Sequence, residues 1–229
     1  MRDEQILELS VLTPPTRETL QEKVYGELRR AIMSGQFVPG RSLPIRLIAS
    51  TLQTSPMPVR EALRQLVTER AIQILPNRSF GVPTLSLKTF REILKVRIEL
   101  EGLAGAMACA NSDNGLVDRL ADLESEMNRS ELEQDSRRLI TLNQKFHFEI
   151  YRASHSEILL PFLESLWLQV GPYIPFVYAD SHKFLMSLNQ HEMIMDAIAK
   201  RDENAVRTAL AADLSTAASI IEKYAPFSE

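Results

Sequence analysis

The sequence predicts a mostly α protein in two parts: an N-terminal winged helix-turn-helix with a small β-wing, followed by an all-α helical bundle. Three observations lead there. A short helix, a tight turn and a second helix with basic side chains on its free face run from Leu43 to about Leu66. Two short apolar stretches flank Pro76, Asn77 and Arg78 as paired strands would. From Leu85 onward, apolar residues recur at helical spacing almost to the end of the chain.

Taken in order, Val24 to Met33 is an amphipathic helix carrying Val24, Leu28 and Ile32 on one face, closed by the turn-forming stretch Ser34 to Gly40. Leu43 to Leu52 reads as the first helix of the motif, and Gln53, Thr54 and Ser55 as the turn. The second helix opens on Ser55 as its cap, keeps Val59, Leu63 and Leu66 at core spacing, and presents Arg60 and Arg64. The second helix of such a motif fits the major groove of DNA. Ile72 to Val82 supplies the wing. Ser86 caps a helix to about Ala110, and Asn111 to Gly115 breaks it. Further helices run to about Leu132, from Asp135 through Ala153, from His182 to Lys200 and from Glu203 to Tyr224. Between them, Ile158 to Tyr178 is an apolar helix that Pro172 and Pro175 should kink or split.

Charge follows the same division. Residues 16–85 hold ten Lys/Arg against five Asp/Glu, whereas residues 86–229 hold 15 basic and 22 acidic side chains. A basic head on an acidic body is expected if only the head meets phosphate. Residues 1–15, ending in Thr13, Pro14 and Pro15, read as a flexible arm. Cys109 is the single cysteine, so no intrachain disulfide can form. No apolar run is long enough to span a bilayer, and the charged N-terminus has no signal core, so the expectation is a cytoplasmic protein without membrane contact.

Residues 17–85 resemble the winged-helix domain of the GntR family. The matching residues are Ala31, Ile32, Gly35, Pro39, Gly40, Leu43, the run Pro58 to Leu63, and the run Leu75 to Arg78. Two positions depart from the pattern: Pro56 stands where the family usually has Arg, and Ala71 where it usually has Gly. The first change implies a non-standard operator. The helical part is similar to the FCD effector domain of the FadR subfamily, on Val96, Arg97, Leu100, Glu101, Phe146, His147 and the stretch His191 to Asp202. The resemblance implies a domain division into the arm 1–15, a DNA-binding head 16–85 and an effector-binding and dimerisation domain 86–229.

It also implies a metal site. The FCD pattern places Asp then His on one helix turn and two further His, where this chain has Asn143, His147, His191 and Asp213. Asn143 and His147 stand four residues apart, on one helix face. Two imidazoles, a carboxylate and an amide oxygen can hold one divalent ion per subunit: Zn²⁺, Ni²⁺ or Mn²⁺. The amide oxygen is a poor ligand, so weaker binding than in the unaltered pattern is expected. Outside the resemblance, two histidines so far apart in sequence are usually ordinary core or surface residues. Arg97 falls where the pattern has an inward-facing Arg, which would grip the carboxylate of a small organic-acid effector. The alternative is a structural pair with Glu101 one turn on.

For DNA contact the sequence nominates Arg60 and Arg46, then Ser55 and Met57, then Arg78 in the wing, with Arg64 either touching phosphate or simply solvated. Met57, in the first turn of the second helix, suits a thymine methyl. The reading is a homodimeric, ligand-responsive transcription regulator on a palindromic operator, with repression the commoner family behaviour. The rivals are a metal-dependent enzyme using His147, His191 and Asp213 around an activated water, and a regulator gripping its effector through Arg97 without metal.

Overall fold

The structure is a computed structural model and describes residues 19–228 apart from positions 112, 114 and 180; the side chains of 179 and 181–189 are likewise outside the description. The arm expected over residues 1–15 lies outside the described residues.

Helix α1 (Leu20–Met33) starts four residues earlier than the periodicity predicts. Its start is fixed by a capping box: the Thr19 hydroxyl accepts from the Glu22 N–H at 3.1 Å, and the Glu22 carboxylate accepts from the Thr19 N–H at 2.6 Å. Val24, Leu28, Ile32 and Met33 point into the core. After the turn comes β1 (Ser42–Leu43), then α2 (Ile45–Thr51) and α3 (Pro56–Thr68). Leu43 was expected in a helix and belongs to a strand instead. The backbone at Pro44 is extended, so α2 begins only at Ile45.

The wing strands are β2 (Gln73–Ile74) and β3 (Phe80–Gly81). They form a three-stranded antiparallel sheet in the order β1-β3-β2, with Phe80 opposite both Leu43 and Ile74. Val59, Ala62, Leu63 and Leu66 of α3 are buried, leaving its other face free.

The body consists of α4 (Leu87–Asn111), α5 (Leu116–Leu132), α6 (Ser136–Ala153), α7 (Leu159–Val170), a 3-10 segment (Gly171–Ala179), α8 (Ser181–Ala199) and α9 (Glu203–Tyr224). Ser86 caps α4 as predicted, accepting from the Thr89 N–H, and Asp135 caps α6 through the Arg138 N–H. The apolar run from Ile158 does split at its prolines. It is α-helical only to Val170, because Pro172 and Pro175 bring no N–H to the ladder. Helix α4 runs through the centre of the bundle against α9, α6 and α7.

The head sits on the body through α1, which meets α7 and the 3-10 segment. One continuous cluster of buried apolar side chains therefore runs from Val24 and Leu63 in the head to Trp167 and Leu210 in the body. A second cluster, around Phe90, Tyr173 and Ile221, joins the start of α4, the 3-10 segment and the end of α9. Among the described residues, no helix is long and apolar enough to cross a membrane.

Candidate nucleic-acid interface and candidate metal centre

Three of the nominated arginines come together in the head. Arg46 from α2, Arg60 from α3 and Arg78 from the wing line one groove of about 330 Å³, along with Asn77 and Ser79. No carboxylate lines it, and all three arginines are exposed without an ion pair among the described residues. Arg78 reaches the wing tip on a left-handed backbone (φ 60°), in a turn shaped by Asn77, whose side-chain oxygen accepts from the Ser79 N–H at 3.0 Å. Met57 is 66% exposed in the first turn of α3. Arg64 differs from the others: it pairs with Glu61 at 3.2 Å.

Ser55 does occupy the N-cap position of α3, in extended conformation, but its side chain makes no capping hydrogen bond. A capping oxygen accepts from the second or third helical N–H; the third helical residue is Pro58, which has none, so Met57 is the one donor left to it. With Pro56 as well, the helix start loses two of its free amide donors, so less of the phosphate-facing role falls to the backbone and more to the arginines.

The second constellation is buried in the body. His147 from α6, His191 from α8 and Asp213 from α9 bring one ligand atom each to within 4.8 Å of one another. His147 Nε2 lies 3.3 Å from one Asp213 oxygen, and His191 Nε2 lies 4.0 Å from the other. Asn143 lines the same cavity one turn before His147. Phe146 stacks on His191 at 4.1 Å between ring centroids.

Glu124 of α5 was not nominated from sequence, yet it accepts from His191 Nδ1 at 2.8 Å and is itself buried. A carboxylate there keeps the hydrogen on Nδ1 and turns the Nε2 lone pair towards Asp213. Burial works against a charged ring at His191. The Glu124 hydrogen bond and the Asp213 and Glu124 charges nevertheless hold its pKa above the ordinary value. Two buried imidazole nitrogens, His147 Nδ1 and His191 Nε2, have no hydrogen-bond partner among the described residues. An orphaned buried acceptor is expensive, and a divalent ion beside His191 Nε2 would relieve one of them. The donor set fits a metal.

Both expectations for Arg97 meet in one place. Its Nε donates to Glu101 at 2.6 Å, the structural pair, while the side chain also lines the cavity beside His147 and Asp213. Glu101 is fully buried and accepts a second hydrogen bond from the Tyr151 hydroxyl. Burial opposes the Arg97 charge, but the Glu101 carboxylate, by charge and hydrogen bond, and the Asp213 charge outweigh it and its pKa is raised. The guanidinium also lies 4.8 Å from the Trp167 ring centroid. The enclosed space is about 30 Å³, enough for an ion and a water, so an organic acid enters only if the wall gives way.

Comparisons with known proteins agree with this anatomy. Residues 20–82 match the family described as bacterial regulatory proteins, gntR family, and residues 92–216 match the FCD domain. The chain is 28% identical over 195 residues to the HTH-type transcriptional regulator McbR of Escherichia coli, spanning 84% of this chain and 88% of that protein. It is 31% identical over 188 residues to the gluconate operon transcriptional repressor of Bacillus subtilis, spanning 79% and 76% respectively. The solved structure of E. coli McbR/YncC superposes with a TM-score of 0.84 at 27% identity, covering 90% of this chain and 99% of that one. These relatives are transcription regulators and not enzymes. The chain belongs to the GntR family, with an FCD domain in its C-terminal half, and is a DNA-binding transcription regulator.

Proposed function

We propose that this regulator is a cytoplasmic, homodimeric repressor. In this reading residues 16–85 bind one half of a palindromic double-stranded operator, and residues 86–229 dimerise and sense a small organic acid. Arg46, Arg60 and Arg78 meet the DNA, with Met57 and Ser55 at the start of the recognition helix and Arg64 at the margin. Three uncompensated arginines in one groove support the contact set. The names of relatives such as the gluconate operon repressor support the sign of regulation. Exposed apolar side chains on the adjoining helices α4 (Val96, 48%; Leu103, 39%) and α7 (Phe162, 60%) support a subunit interface there.

His147, His191 and Asp213, with Asn143 in the cavity wall, hold one divalent ion. The observation that carries this reading is the buried trio, with His191 Nε2 orphaned among the described residues beside Asp213. A bound ion supplies a Lewis-acidic anchor for a carboxylate. Arg97, kept charged by Glu101, grips the same group from the side. Metal analysis by mass spectrometry, on untagged protein purified without chelator, tests it. Near-stoichiometric Zn, Ni or Mn that is lost in His147→Ala is the expected result. Metal-free protein that still responds to an acid would leave Arg97 as the grip.

A further inference from the structure

Resting on the cavity as the site that sets DNA binding, we propose that the 3-10 segment Gly171–Ala179 is the relay between that cavity and the head. Its inner face is cavity wall: Ile174, Val177 and Tyr178 line the space together with His147 and Asp213. Its outer face carries three contacts to the DNA-binding side. Gly171 lies directly under the end of α1, where a Cβ would stand 2.5 Å from the Ile32 carbonyl oxygen and 2.8 Å from the Met33 Cα. Pro175 packs on the turn after α1, so closely that a Cβ on Gly35 would meet its Cγ at 2.6 Å. Tyr173 accepts a hydrogen bond through its hydroxyl from the Leu85 N–H at 2.7 Å. Leu85 belongs to the short connection from β3 to α4.

The segment is also the part of the wall best able to move. Every other lining residue belongs to α4, α6, α7 or α9, each braced by an α-helical ladder. The relay has the poorer 3-10 hydrogen bonds and two prolines that donate none. An ion held by His147 and Asp213 sits against this wall and braces it, and this wall rests against the head. Packed contacts of this kind shift between discrete arrangements instead of yielding gradually. The Arg29–Glu164 ion pair, 2.8 Å long, ties α1 to α7 just before the segment and acts as the pivot.

Hydrogen exchange on the full chain tests the relay, with Zn²⁺ alone as probe, in the wild type and in Pro175→Ala. In the wild type, Zn²⁺ should slow exchange both in the peptides around His147 and His191 and at residues 32–36, the latter by roughly tenfold. In Pro175→Ala the site peptides should still respond, which also reports that the variant is folded, while residues 32–36 should not. Protection at 32–36 that persists in Pro175→Ala, or is missing from the wild type while the site responds, overturns the relay. Site peptides indifferent to Zn²⁺ would instead count against the metal reading. The relay is then decided by Val177→Ala, which loosens the inner face: exchange at 32–36 should quicken in the wild-type background and not in Pro175→Ala, and no such transmission sinks it.

Discussion

Arg60 is exposed, has no ion pair among the described residues and lines a groove with two other cations, so under the proposed function its removal takes away a DNA contact without disturbing the core. Arg60→Ala should weaken operator binding by about 10–100-fold, from a loss of about 1–3 kcal/mol, with unchanged thermal stability; fluorescence anisotropy on a selected operator measures it. Glu124 acts at one remove, through His191. Glu124→Gln should reduce metal affinity about 10–100-fold in a competition titration while secondary structure stays intact. The raised pKa of His191 has a signed consequence. Metal-free protein gains stability from the His191 proton in full below the ordinary value of 6.5, and loses it as pH rises through the higher folded pKa. Metal binding runs the other way, since Nε2 must be free, and should fail as pH falls through that same pKa. Urea unfolding of chelated and loaded protein across pH should therefore give opposite slopes; parallel curves would remove His191 from the ligand set. Arg97 with Glu101 was legible from i,i+4 spacing, and His147 with Asn143 likewise. Glu124 was not: one of five acids on an amphipathic helix looks as solvated as the others until α8 packs over it.

The helices were legible wherever a periodic face ran between a cap and a breaker. Ser86, Asp135 and the Pro172/Pro175 pair all acted as their chemistry dictates. The start of α1 carried a signal that periodicity alone passed over, the Thr19–Glu22 box, because Leu20 lies on the exposed side and breaks no pattern. Thr19→Ala should lower stability by about 1 kcal/mol, visible as a shift in the urea midpoint. No shift would mean that head–body packing alone defines the helix start. Strand β1 was hidden for a different reason. Two residues carry no alternation to read, and their partner β3 is distant in sequence, so only the closed head pairs them. Helix α3 shows sequence chemistry weakening a familiar motif, since Ser55 sits at the N-cap with Pro58 in place of one of its two possible hydrogen-bond donors. Between Pro56 and Pro58, Met57 stands 66% exposed at the start of the helix.

At the scale of the molecule, the acidic body and basic head assign repulsion and attraction for DNA to different surfaces, so the head meets DNA and, under the proposed function, subunits would meet elsewhere. The body has exposed apolar side chains suited to such an interface. Val96 and Leu103 are two turns apart on α4, and α4 packs against α7, which leaves Phe162 60% exposed. A single head offers few arginines, and a tight complex with a palindrome needs two heads held at fixed spacing. Linking them converts the second binding event into an intramolecular one, so loss of the dimer should be read at the DNA as well as in solution. Val96→Asp combined with Leu103→Asp should give a monomer by analytical ultracentrifugation, with metal content unchanged because neither side chain lines the cavity. Operator affinity should then fall by about a hundredfold, while binding to a single half-site stays as it was. A double variant that remains dimeric would move the interface off α4. A monomer that still holds the full operator at wild-type affinity would mean that one head suffices, and that the palindrome is not what this regulator reads.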